Sequence, residues 1–517
     1  MDNGLYSVAQ IRAIEVAMAA EAAGGAEPGG LTGSLMSRAG RAAADLALEL
    51  IGNARAQPVL VLAGPGNNGG DALELAANLG EAGVDVVVLH LAGSGQCSPE
   101  AAQALARARA SSANFADVAP DVREWAMVVD GLFGIGLARP LEGRYRELVT
   151  AIDSVRCPVL ALDVPSGLDG DTGELVGPGG VAVRATHTIT FIGDKPGLHT
   201  AEGRDHAGIV HVAGLGIDAA AFEPPRARLA SPALFAAMLL PRRQNSHKGQ
   251  FGDVAVIGGA HGMVGAAVLA ARAALHAGAG RVFAVTVAES QAGPEFDPLQ
   301  PELMFRTSGG FDAGKRVLVL GPGMGDSSEA LRVLGHGIDG AGSIVIDADG
   351  LNLVAASSAL QERVARRQAD TIVTPHPLEA ARLLGTSAGE VQADRLGSAR
   401  ELARRLQAVV VLKGSGTVVA QPDGEVAVNP TGNPGLASGG SGDVLAGVCG
   451  ALLAQGWPAW EAAVGAVWMH GAAAERLVAE GVGPIGMTAG ELPKAVRGVL
   501  NGLVNRLVIT PASPPQS

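Results

Sequence analysis

The chain has 517 residues, 48% of them hydrophobic and 3% aromatic, with 74 glycines and a formal net charge of −13 at pH 7. This length exceeds one ordinary core and suits about three domains or two large α/β units. The acidic balance argues against general nucleic-acid binding, which needs a basic footprint. No window approaches ~20 uninterrupted apolar residues, so no membrane span is expected, and the opening residues lack the apolar core of a signal peptide. Cys97, Cys157 and Cys449 show no paired or metal-like spacing; they fit reduced thiols of a cytoplasmic protein.

In chain order, the apolar run Pro58–Ala63 ends in Gly64-Pro-Gly-Asn-Asn-Gly-Gly-Asp71, and Ala72–Gly83 reads as helical. Val84–Leu91 is a further strand. Met127–Val129 leads into Asp130-Gly-Leu-Phe-Gly-Ile-Gly136, and Pro158–Leu162 into Asp163-Val-Pro-Ser166. Continuous apolar strands alternating with helices predict a parallel sheet covered on both faces. Gly64 to Gly69 matches the G-x-G-x-x-G dinucleotide fingerprint, but no acidic residue closes the next strand near Leu89–Leu91, and Asp71 would repel a pyrophosphate. Asn67, Asn68, Asp71, Asp130, Asp163 and Ser166 instead offer oxygen ligands without Cys or His, which suits a hard cation. The remaining carboxylates are able to move protons. The same aspartates also fit simple caps of turns and helices.

These motifs, with the opening Tyr6-Ser-Val-Ala-Gln-Ile-Arg-Ala-Ile-Glu15, resemble those of NAD(P)H-hydrate epimerase over roughly residues 5–215. The resemblance implies a Rossmann-like three-layer domain that interconverts the R and S forms of hydrated NADH or NADPH. It implies hydrate contacts from Asn67, Asn68, Gly69, Gly70 and Asp71, from Gly134, Ile135, Gly136, Leu137, Ala138, Arg139 and Pro140, and from Asp163. It implies K+ held by Asn68, Asp130 and Ser166. Asp71 and Asp163 are the candidates for proton transfer.

The segment 219–232, with three prolines, reads as a joint. The expected division is an epimerase domain over 1–220, a linker over 221–232, a dehydratase domain over 233–510 and a disordered tail over 511–517. Beyond the joint, Asp253–Ile257 runs into Gly258-Gly-Ala-His-Gly-Met263, and Arg316–Leu320 into Gly321-Pro-Gly323. Ser343–Ile346 runs into Asp347-Ala-Asp349, and Thr371–Val373 into Thr374-Pro-His-Pro-Leu-Glu379. Ala408–Leu412 runs into Lys413-Gly-Ser-Gly-Thr417. Ligands of parallel α/β sheets bind beyond the carboxyl ends of the strands, where these motifs fall. Lys413 to Thr417 suits a nucleotide's phosphates or ribose, and equally a hairpin turn. His376 is fixed between two prolines. Asp347 and Asp349 fit either a cap of Leu351–Ala356 or a contact to a metal or hydroxyl. The run Gly432–Asp443 is glycine-rich and precedes the apolar stretch Val444–Leu453. A glycine loop that opens a helix aims backbone N–H groups at one point, where an anion sits, and Asp443 lies beside that point.

This second set resembles the ribokinase-like superfamily, and within it ADP-dependent NAD(P)H-hydrate dehydratase, over most of residues 225–505. The carrying motifs include His247-Lys-Gly-Gln-Phe-Gly252, Gly258 to Ala266 and Asn433 to Asp443. The resemblance implies a ribokinase-like α/β domain in which Ala266, Gly323, His376 and Asp443 contact the hydrate. It implies that Lys413, Gly414, Ser415, Gly416, Thr417 and Gly442 hold the adenine nucleotide. ADP is the expected co-substrate, with Mg2+, and Asp443 the proton acceptor. The expected partners are the hydrates of NADH and NADPH and ADP, with no nucleic acid and no membrane, and a homo-oligomer is expected. The alternative is a small-molecule kinase joined to a non-catalytic ligand-sensing first block.

Overall fold

β-branched and leucine-rich runs of three to six residues supply most of the strands, and alanine-rich helices cover them. A computed structural model describes residues 3–23, 33–91, 98–118, 124–287 and 294–509. The expected tail over 511–517 and Cys97 lie outside the described residues. The chain divides into two compact units, Met1–Arg228 and Leu229–Ser517. The segment 221–232 contains the end of the helix Ala219–Phe222, the strand Ala227–Leu229 and the start of the 3-10 helix Pro232–Met238. No helix among the described residues is long and apolar enough to cross a membrane.

The first unit holds a parallel sheet in the order Asn114–Ala116, Val86–His90, Val59–Ala63, Met127–Gly131, Val159–Leu162, His187–Phe191, Ile209–Ala213. Side chains alternate across its faces. Val59, Val61 and Ala63 pack with the helices Leu35–Ile51, Asn67–Glu81 and Pro99–Ala110, whereas Leu60 and Leu62 join the helix Gly143–Ile152 on the other side. The three-layer expectation holds. The strand order reverses beside Val59–Ala63, whose sequence neighbour Val86–His90 lies on one side and Met127–Gly131 on the other. A crevice opens at such a switch point, and the segment Asn67 to Asp71 begins its helix there.

That turn is tight. A Cβ on Gly64 would sit 1.8 Å from the Leu132 carbonyl oxygen, and one on Gly69 would sit 1.9 Å from the Gly64 oxygen. Both obstacles are backbone, so Gly64→Ala is expected to destabilise the first unit by about 2 kcal/mol. The check is its melting transition by calorimetry; an unchanged transition would argue against the geometry.

In the second unit the strands run Val426–Val428, Val418–Ala420, Val409–Leu412, Thr371–Val373, Ile344–Ile346, Val317–Leu320, Asp253–Gly258, Arg281–Thr286, Met304–Thr307. They are parallel apart from the antiparallel hairpins that pair Val418–Ala420 with its two neighbours. The helices Val264–His276, Ser441–Ala454 and Ala459–Ala479 bury one face of the sheet. Val444 to Leu453 is buried at every position, because this helix is covered on all sides. A Cβ on Gly447 would sit 2.1 Å from the Ala270 carbonyl oxygen, so small residues bring the two helices together where aromatics are scarce. The switch point here lies between Asp253–Gly258 and Val317–Leu320. Their ends are joined by hydrogen bonds from the N–H of Gly259 to the Pro322 oxygen (2.9 Å) and from the N–H of Ala260 to the Gly323 oxygen (2.7 Å).

Candidate functional site

In the first unit, neighbouring strands carry Asp130 and, two residues beyond its register partner Ala161, Asp163. Asp130 is fully buried. Its carboxylate accepts from the Ser166 N–H (2.8 Å), the Ser166 hydroxyl (2.7 Å) and the Leu132 N–H (3.2 Å). It therefore ties two strand-end loops together. Burial pushes it up to about 6 against those hydrogen bonds. Asn68 belongs to the same corner, since its backbone oxygen lies 3.2 Å from the place of a Cβ on Gly131. Its side-chain oxygen and nitrogen are buried with no hydrogen-bond partner among the described residues. Buried polar atoms are normally paired, so this carboxamide fits a bound group.

Asp163 adopts a left-handed backbone conformation, φ 66°, which is rare for a residue with a side chain and clusters at functional sites. One carboxylate oxygen accepts from the Ile135 N–H (2.9 Å) and the other lies 3.0 Å from the Lys195 ammonium. A Cβ on Gly134 would come within 2.5 Å of that carboxylate, so the loop Gly134 to Pro140 closes on Asp163 only because residue 134 is glycine. Asp71 is pushed well above the ordinary carboxyl range, first by burial and then by the charges of Asp163, Glu15 and Glu74. Glu15 is raised by burial and by Asp163. Asn67 accepts from the Ser98 hydroxyl at 3.1 Å. The structure thus gathers Asn68, Asp71, Asp130, Asp163, Ser166 and the 134–140 loop at one sheet end. Lys195 was not among the sequence candidates, although it follows the strand His187–Phe191 much as Asp163 follows its own. Glu15 entered only as part of the opening helix.

In the second unit, Lys413 is the hub. Its ammonium donates to Asp347 (2.7 Å) and lies 3.8 Å from Glu379. A Cβ on Gly442 would lie 3.4 Å from it, which places the cation under the first turn of the helix Ser441–Ala454. Gly440, at φ 93°, starts that helix and no side chain caps it, leaving first-turn N–H groups available to an anion. Burial pushes Asp443 up to about 7; Asp347 and Asp349 add to the shift and Lys413 opposes it. Glu379 is pushed up to about 7 by burial, against Lys413.

Geometry shows the partners that these residues take within the chain. Asp347 precedes the helix Ala348–Ala355 without a side-chain capping bond and takes Lys413 instead. Asp349 accepts from the Gly325 N–H at 2.9 Å. Lys413 to Thr417 is a hairpin turn between Val409–Leu412 and Val418–Ala420. His376 caps the helix Pro377–Leu384: its Nδ1 accepts from the N–H groups of Leu378 and Glu379, and its own N–H donates to Glu379 at 2.7 Å. The ring proton therefore sits on Nε2, 3.4 Å from the other Glu379 oxygen. Ala266 and Gly323 meet, since a Cβ on Gly323 would lie 3.1 Å from that of Ala266. One turn along the same helix, Leu269 touches the place of a Cβ on Gly440 at 2.6 Å, so this helix face borders the glycine run.

Two residues here escaped sequence reading. Arg395 is buried and donates to the Leu412 and Lys413 carbonyls, both at 3.2 Å, bracing the 413–417 turn. His470 is buried, pushed down to about 4 by burial, with no partner at Nε2 among the described residues. Nothing in either residue's local sequence marks it.

Two parallel-sheet units carry polar sites at their strand ends, and the second joins an uncapped glycine-rich helix start to an aspartate. These features define a protein of two α/β units, each built on a largely parallel sheet with a polar site at its strand ends. The family model described as NAD(P)H-hydrate dehydratase matches residues 254–497, and the one described as YjeF-related protein N-terminus matches residues 32–197. The chain is 39% identical over 484 residues to the bifunctional NAD(P)H-hydrate repair enzyme of Coxiella burnetii, covering 90% of this chain and 94% of that one. It is 38% identical over 480 residues to the enzyme of that name from Escherichia coli, covering 90% and 89%. A solved Bacillus subtilis ADP/ATP-dependent NAD(P)H-hydrate dehydratase, co-crystallised with ATP and Mg2+, is 31% identical; the match covers 53% of this chain and 97% of that one, with a TM-score of 0.47. The chain belongs to the family of bifunctional NAD(P)H-hydrate repair enzymes.

Proposed function

We propose that residues 1–220 interconvert the R and S forms of NAD(P)H hydrate and that residues 233–510 return the S form to NADH or NADPH, converting ADP to AMP and phosphate. The observation that carries this reading is the pairing of Asp443 with an uncapped helix start and the Lys413 ammonium. Hydroxide leaves poorly, whereas phosphate leaves easily. Asp443 accepts the proton of the hydrate's hydroxyl as its oxygen attacks the transferring phosphoryl group. The N–H groups of Gly439 to Gly442 and Lys413 stabilise the charge on that group. Asp347 is paired with Lys413, and Mg2+ would enter with the ADP phosphates and offset their charge.

In the first unit, Asp71 and Asp163 are the proton-transfer pair. Asp163 is held by two donors, and Asp71 retains its proton more readily because it is desolvated among acids. Asn68, Asp130 and Ser166 would hold K+, which suits the unpartnered Asn68 carboxamide beside a buried carboxylate. The ion would supply a fixed positive charge at the crevice. Both activities on one chain recover both epimers.

The test mixes purified protein with racemic hydrate and follows nicotinamide absorbance with ADP, with ATP and with neither. Full recovery with ADP is expected. Recovery of half would remove the epimerase reading, and no recovery with either nucleotide would remove the dehydratase reading.

A pH dependence follows from Asp443. Its carboxyl lies at about 7, and only the ionised form accepts a proton. The dehydratase rate at saturating substrates is therefore expected to fall below about pH 7, approaching tenfold per pH unit. Glu379 titrates in the same range, so the limb belongs to both groups. Initial rates between about pH 5 and pH 8 test this, and a flat profile would contradict the assigned base.

A further inference from the structure

Lys195 is the largest fully buried side chain among the described residues of the first unit, and the proposed chemistry leaves it unused. The strand His187–Phe191 lies beside Val159–Leu162 in parallel register, so its end falls next to Asp163. Ile192 turns the chain at φ 68°, and a Cβ on Gly193 would strike the Tyr6 ring at 2.5 Å. The lysine side chain then folds back under the sheet end. Its ammonium donates to the Thr190 hydroxyl (2.6 Å), the Phe191 carbonyl (3.1 Å) and the Gly193 carbonyl (3.2 Å), and lies 3.0 Å from Asp163. The residue has no exposed surface.

Burying an ammonium costs several kcal/mol unless it is paired and hydrogen-bonded. Three neutral oxygens and one carboxylate offset that cost here. With no exposed surface, the cation does not reach a substrate itself. What it does reach is one oxygen of Asp163, while the Ile135 N–H holds the other at 2.9 Å. Ile135 belongs to the loop that faces the hydrate in the proposed reading. The carboxylate is thus pinned on both sides, on a backbone already in the left-handed region. Among the described residues Asp71 has no such ion pair; burial, then the acids Asp163, Glu15 and Glu74, hold it well above the ordinary range. The two carboxyls of the site therefore have different surroundings.

We propose that Lys195 is the positioning residue of the epimerase site, acting through Asp163 by locking its carboxylate against the 134–140 loop. This rests on the reading of the first unit as an epimerase that uses Asp163. A lysine whose only task was to stabilise the fold would have no effect tied to Asp163.

The test uses the full chain and measures interconversion of purified R hydrate to S, with kcat and KM separated. Lys195→Met is expected to lower kcat at least about 30-fold with KM within about threefold. In an Asp163→Asn background, adding Lys195→Met is expected to lower kcat no further, because the group it acts through is already gone. This double variant also leaves no buried carboxylate without its cation, so it is expected to be more stable than the single variant. Thr190→Val, which keeps both charged residues and removes one ammonium acceptor, is expected to lower kcat a few-fold at unchanged KM; it decides the matter if Lys195→Met does not fold. Wild-type kcat in Lys195→Met, a rise confined to KM, an equal further loss in the double variant, or an unchanged Thr190→Val after misfolding of Lys195→Met would overturn the proposal alone. A wild-type chain that does not interconvert the two forms overturns the epimerase reading, and the proposal with it.

Discussion

Asp443→Asn is expected to slow ADP-dependent dehydration at least about 100-fold, the usual contribution of a positioned proton acceptor. The carboxylate sits in the first turn of the helix Ser441–Ala454, whose start has no side-chain cap. Asparagine keeps the shape and accepts no proton. The N–H groups of the glycine run stay in place, so the KM for ADP is expected to stay within about threefold. A loss shared equally between kcat and nucleotide binding would instead mean that Asp443 holds the loop. The pH profile separates the roles further: the residual activity of Asp443→Asn should lose most of the limb near 7, leaving only what Glu379 contributes.

Lys413→Met is expected to remove dehydratase activity and to weaken the second unit at once. The Asp347 side chain is 1% exposed and that of Lys413 is 20% exposed. Removing one partner of a buried pair leaves an uncompensated charge, which costs about 3 kcal/mol, the low end of the usual range because the ammonium keeps some solvent. The melting transition of that unit should fall by roughly 6–12 °C. Methionine also removes the cation beside Asp443 and Gly442, and with it part of the stabilisation of the transferring phosphoryl group. The double variant Lys413→Met with Asp347→Asn separates the two effects. It should regain most of the stability, since the buried Asp347 charge is gone and Glu379, already pushed up to about 7, takes a proton readily once Lys413 is lost, and none of the turnover. If the double variant regained turnover, Lys413 would be structural only.

The motifs that matter were readable because a parallel sheet places all its carboxyl ends along one edge. Asp130 near the end of an apolar strand, and Asp163, Asp347, Lys413 and the segment Asn67 to Asp71 just after one, stand where chain order alone brings them to two sites. The glycine run before Val444 marked the helix start for the same local reason. The structure added the partners. Lys413 pairs with Asp347 across 66 residues of sequence, and Lys195 reaches Asp163 from a neighbouring strand. Arg395 and His470 sit on helices whose local pattern is unremarkable, and only packing buries them against the 413–417 turn and the glycine run.

By itself, then, the sequence determined the alternation of strands and helices, the two units, and the residue types standing at each strand end, all of which follow from backbone periodicity and turn chemistry within a few residues. Only the tertiary structure decided which of those groups are desolvated, which are paired and which keep a proton. Those properties depend on what surrounds a side chain in space. Burial raises Asp71 and Asp443, Lys413 opposes the rise at Asp443, and neither neighbourhood exists until the sheet has formed.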